Sequence, residues 1–179
     1  MTVMILAVMG KWLEYRRIAE HYGKRTARRS GVLLMKHIDQ GLTILDAIGG
    51  SEMAMRAFCL HPLLQSDADF VVHYPRIADL TNEPRVIVLA MEYRHTANAA
   101  LSTRAIASAS EIVLSPLAEV NQMLVADKVQ NHSDFMRYHA KVHPRATELA
   151  RYFTLWLERL GIDEARYEQL LAVADASNA

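Results

Sequence analysis

The chain has 179 residues, 51% of them hydrophobic and 22% charged, which fits one globular domain with its own core and excludes disorder as the main state. Twenty Lys and Arg balance twenty Asp and Glu, a neutrality that argues against coating long nucleic acid or an anionic membrane. A lone Cys59 excludes an intramolecular disulfide and points to the cytoplasm.

The opening MTVMILAVMG is apolar, too short to span a bilayer and without the basic start of a signal peptide. It reads as a segment, residues 1–10, packed on the fold. Trp12, Leu13, Ile18, Ala19 and Tyr22 then form an amphipathic stripe that Gly23 stops. Between Lys11 and Ser30 lie seven basic residues against Glu14 and Glu20, whereas the stretch from Glu158 onward is acidic. A local basic patch on a neutral chain suits a small anionic ligand. Leu34, Ile38, Leu42, Leu45 and Ile48 predict a second helix closed by Gly49-Gly50. Ser51 predicts the N-cap of a third, running through Met55 and Phe58 towards His61, where Pro62 should end or kink it.

Asn82-Glu83-Pro84 opens a helix through Val86, Leu89 and Tyr93. Residues 100–113, small and β-branched, give no clear period. Ser115-Pro116 predicts an N-cap with proline in the first turn of a helix reaching Asp127. His143-Pro144 opens another, carrying Phe153, Trp156 and Leu157 to Gly161, and a short helix follows over 163–174. No alternating pattern persists. The fold class is all-α, and with no repeat or linker the whole chain, 1–179, reads as one helical domain.

Three residues interrupt apolar helical runs: His37, His61 and Asp127. Imidazole and carboxylate groups are costly to bury unless they pair or bind a metal, and two His with one Asp can form a facial metal site with open positions for water. Each taken singly is compatible with an ordinary satisfied core or surface position. Cys59 and the methionines fit core packing. His21, His73, His95, His132, His139 and His143 show no ligand spacing. The chain has no Walker loop, GxGxxG or serine-elbow motif.

Arg28-x-Ser30-Gly31 with His37 six residues after the glycine, FCLHPLLQSDAD (58–69), VADKVQN (125–131) and ARYFTLWLERLG (150–161) together resemble the RelA/SpoT-type alarmone hydrolases and the small metazoan SpoT homologue, within the HD phosphohydrolase superfamily. The similarity spans residues 19–162. It implies an HD-like helical bundle and a divalent metal, manganese (Mn(II)) first and Zn(II) next, on His37, His61 and Asp127. Pro62 stands where the family has the Asp of its His-Asp pair, and Gln65-Ser66 where it has a Glu-Asp pair that orients the attacking water. Gln65, with Asp67 and Asp69 a small register shift away, are therefore the catalytic candidates. Lys24, Arg25 and Arg28 match the family's basic loop against the phosphates, and Lys128 and Asn131 its nucleotide contacts; Arg29 is read as solvent-facing. The implied ligand is a small nucleotide, an alarmone like (p)ppGpp or a (deoxy)nucleoside phosphate. The implied function is its metal-dependent hydrolysis, or, with both carboxylate pairs altered, binding of a nucleotide or partner protein without hydrolysis.

Overall fold

A computed structural model describes residues 9–28 and 30–176. The packing expected of residues 1–10 therefore lies outside the described residues except at Met9, which is buried, and Gly10; Arg29 also lies outside them. The helices are α1 (Leu13–Tyr22), α2 (Met35–Ala47), α3 (Glu52–Leu64), α4 (Asp67–His73), α5 (Ile77–Leu80), α6 (Pro84–Ala99), α7 (Ala118–Asp134), α8 (Ala146–Arg159) and α9 (Glu164–Ala176). The fold is all-α: among the described residues there is no sheet, only an isolated antiparallel bridge between Thr26 and Leu33. No described helix is long and apolar enough to cross a membrane.

α3 is the hub. Ala54, Met55, Ala57, Phe58, Cys59, Leu60, His61, Leu63 and Leu64 are all buried, so this helix is apolar around most of its circumference, as a helix enclosed by others must be. It packs on α1, α2, α4, α6 and α7. α2 lies between α7 and α9, burying Ile38, Leu42 and Leu45 along the stripe that the spacing predicts. The turn between α2 and α3 uses Gly49 at φ 73°, a backbone region that costs other residues dearly. Ser51 then caps α3, its hydroxyl accepting the Ala54 amide at 3.1 Å.

The structure adds two helices that the sequence pattern does not predict, α4 and α5, opens α8 at Ala146 rather than at Pro144, and differs from expectation at α3 and α7 as well. α3 runs through Pro62 to Leu64. Proline removes only its own N–H, and at Pro62 the carbonyl deprived of it finds another donor. α7 begins at Ala118 rather than at Pro116: the Ser115 hydroxyl takes the Leu117 amide and Asn121 grips both Ser115 backbone groups, so these residues form a turn ahead of the helix. α7 also ends in a π-helical turn, Phe135–His139.

The segment 100–113 is held by side chains of α8. Trp156 donates its indole N–H to the Ala100 carbonyl, Arg151 binds that of Ala107 and Arg159 that of Ile112. Beneath α1, Glu14 is fully buried and chelated by Arg56 at 3.0 and 3.1 Å, with the Thr81 hydroxyl donating to the same carboxylate.

Candidate metal centre

Three helices bring His37 (α2), His61 (α3) and Asp127 (α7) to one point. His37 Nε2 lies 3.2 Å from His61 Nε2 and 3.6 Å from Asp127 Oδ1; His61 Nε2 lies 3.8 Å from the same oxygen. His61 and Asp127 are buried and His37 is partly so. Donors about 2.1 Å from a first-row cation stand about 3.0–3.4 Å apart in tetrahedral or octahedral geometry. The separations here lie in or just above that range.

The outward nitrogens of both rings are committed. His61 Nδ1 meets the Phe58 carbonyl at 2.6 Å and can only donate to it. His37 Nδ1 faces Gln130 Oε1 at 2.5 Å. That amide is oriented by its other end, since Gln130 Nε2 donates to Asp134 at 2.9 Å and to Gln40 at 3.3 Å, so Oε1 is the acceptor and His37 the donor. Each ring thus carries a proton on Nδ1 and turns its Nε2 inward; on His61, which burial keeps neutral, that nitrogen is a bare lone pair. Two imidazole Nε2 atoms and a carboxylate oxygen therefore converge on one point. Such a cluster attracts a cation, a proton shared between the rings or a metal ion, and tautomers fixed from outside are a regular support of metal-binding histidines. The donor set therefore fits a divalent ion that accepts nitrogen and oxygen, as manganese and zinc do.

Electrostatics keep His61 and Asp127 in ligand form. Burial, then the neighbouring His37, lowers the His61 pKa to about 3, so the ring stays neutral. Burial opposes the charge on Asp127, but the adjacent Lys128 ammonium outweighs it and holds the carboxyl well below its ordinary range. Lys128 is itself buried, its ammonium 2.8 Å from Asp127 Oδ2 and 5.0 Å from the Trp156 ring centroid. Asn131 Nδ2 donates to Oδ1 at 2.7 Å. The Tyr93 hydroxyl is buried beside Asp127, and burial followed by that carboxylate raises its pKa well above the ordinary value.

A cavity of about 460 Å³ opens on the cluster, its walls including Tyr22, Leu34, Phe135 and Phe153 as well as Ser30, Asn131, His139 and His143. This volume is of small-molecule size. Gln65 lines it. Asp67 and Asp69 do not: with Pro62 and Gln65 they line a neighbouring hollow, where Asp67 is ion-paired to Arg94 and Asp69 is bonded to Ser66. Lys24, Arg25 and Arg28 are exposed and outside the cavity wall, to which their loop contributes Ala27 and Ser30 instead. Arg25 turns back onto the His21 and Tyr22 carbonyls at the end of α1. Lys128 also stays off the wall, buried behind Asp127.

The sequence reading missed Gln130, Tyr93, Arg94, His139 and His143. Only Gln130 left a signal: it sits three residues after Asp127 and so on the same side of α7. Comparison with protein-family models, curated proteins and solved structures finds no match for this chain.

Proposed function

We propose that this chain is a metal-dependent phosphohydrolase acting on a nucleotide, an alarmone of the (p)ppGpp kind or a (deoxy)nucleoside phosphate. The observation that carries the reading is the convergence of two inward-turned Nε2 atoms and a carboxylate on the wall of a cavity of ligand size. These are the three residues that the resemblance to HD phosphohydrolases assigns as ligands. A divalent cation on them, manganese before zinc, supplies Lewis acidity toward a phosphoryl oxygen and lowers the pKa of water bound to it.

The remaining steps fall to the chain's own residues. Lys128 and Asn131 hold the Asp127 carboxylate ionised and oriented. Gln65 lies on the cavity wall with the capacity to accept from, and so orient, a water molecule. Tyr22, Phe135 and Phe153 offer aromatic walls to a nucleobase, and Asn131, Ser30 and the two wall histidines offer polar contacts to sugar and phosphate.

A second reading, nucleotide binding without turnover, is favoured by one observation. Asp67 and Asp69, the carboxylates available to activate water, lie outside this cavity, and Asp67 is engaged by Arg94. One experiment separates the two. Protein purified without chelator is assayed for metal, then incubated with manganese and a nucleotide panel while phosphate release is followed. The enzyme reading expects bound metal and turnover that His37→Ala and Asp127→Ala abolish in folded protein. Saturable binding without phosphate release selects the second reading; protein that takes up no manganese or zinc in excess defeats the metal site.

A further inference from the structure

In an unbroken helix the amide of residue 62 donates to the carbonyl of residue 58. Pro62 has no N–H, and its ring crowds the carbonyl four residues back. Yet α3 continues past it: the Gln65 amide still reaches the His61 carbonyl at 2.9 Å. The Phe58 carbonyl, with no helical donor from residue 62, takes the His61 Nδ1 proton at 2.6 Å instead. Pro62 and His61 also share the wall of the same cavity.

We propose that Pro62 is a positioning residue for His61: by withholding an amide from the Phe58 carbonyl it reserves that oxygen for the imidazole and fixes the tautomer that turns Nε2 inward. The proposal deepens the metal-centre reading and rests on it for its purpose. A backbone carbonyl has two lone pairs, so an amide at position 62 does not exclude the imidazole but draws the Phe58 oxygen toward the helix axis and weakens its bond to Nδ1. A His61 that loses the bond is free to carry its proton on Nε2, where it points at His37 Nε2 3.2 Å away and blocks the lone pair a metal needs. The residue that replaces the family's acidic partner thus has work of its own. It acts through the backbone of α3 and needs no side-chain donor.

The test restores the amide. Pro62→Ala removes the ring and Pro62→Val keeps most of its bulk; both return the N–H, and alanine favours helix. Imidazole nitrogen NMR on the metal-free protein reads the His61 tautomer directly. Wild type is expected to carry the proton on Nδ1, and both variants to gain a substantial Nε2–H population while melting no lower than wild type. Manganese titration is expected to give affinity about tenfold weaker in the variants, the scale on which supporting partners of metal ligands act. Folded variants that keep Nδ1–H and bind manganese as wild type does overturn the proposal. A tautomer change in protein that binds no metal in any form supports the role of Pro62 and instead refutes the metal-centre reading.

Discussion

Lys128 offers a severe test of the electrostatics around Asp127. Lys128→Met keeps the length of the apolar stem and removes the ammonium 2.8 Å from Asp127 Oδ2, at a place where both side chains are about 95% shielded from water. Removing one partner of a buried ion pair costs about 3–5 kcal/mol, because the other charge stays desolvated. Methionine against Trp156 and Tyr152 recovers some of the lost cation–π contact. For a chain of this size each kcal/mol moves the melting temperature by about 2–4 °C, so the metal-free variant should melt roughly 6–20 °C below wild type. A divalent ion on Asp127 restores positive charge beside the carboxylate. Saturating manganese should therefore stabilise the variant more than wild type and close at least half of the gap. Thermal and urea melts of both proteins, with chelator and with manganese, measure it. A deficit that manganese leaves unchanged would refute the claim that Lys128 and the metal share the Asp127 charge, and no deficit at all would refute the burial argument.

Three further perturbations reach the site from different sides. A Cβ on Gly41 would overlap the Phe58 ring, which packs against His37 and His61; Gly41→Ala should cost about 1–3 kcal/mol of stability and weaken manganese binding, both read from melts with and without the ion. Gln130→Met removes the acceptor that fixes the His37 tautomer and should lower manganese affinity about 10–100-fold, as measured by calorimetric titration. Glu14→Ala takes the buried acceptor from the Thr81 hydroxyl and from Arg56, which keeps Glu52, and should cost about 1–3 kcal/mol in urea melts, while leaving metal affinity per folded molecule unchanged.

The stripe Leu34-Ile38-Leu42-Leu45 was legible because its large apolar residues keep a helical period, although α2, packed against α3, α7 and α9, buries every residue from Gln40 to Leu45. The ligand set was legible for a related reason: His61 and Asp127 stand out against apolar neighbours that are buried with them. What the chain hides depends on direction and distance. Counting charges finds Lys24, Arg25 and Arg28, but not that Arg25 folds back on the end of α1. Glu14 looks like any surface acid until Arg56, 42 residues on, is brought beside it. Pro62 reads as a helix end or kink because the rule considers the missing donor and not where the orphaned carbonyl can turn. Residues 100–113 have no period to read, since their partners are side chains of α8.

The division of the candidate ligands among α2, α3 and α7 bears on when an ion could act during folding. No one helix carries two of the three, so the open chain presents no chelate, and an ion gains its full set of donors only after those helices have docked. Binding of that kind adds its free energy to the native state and little to the barrier that precedes it. An ion bound there would work as a late latch: it would leave the speed of assembly to the packing of the hub helix and lengthen the lifetime of the assembled molecule.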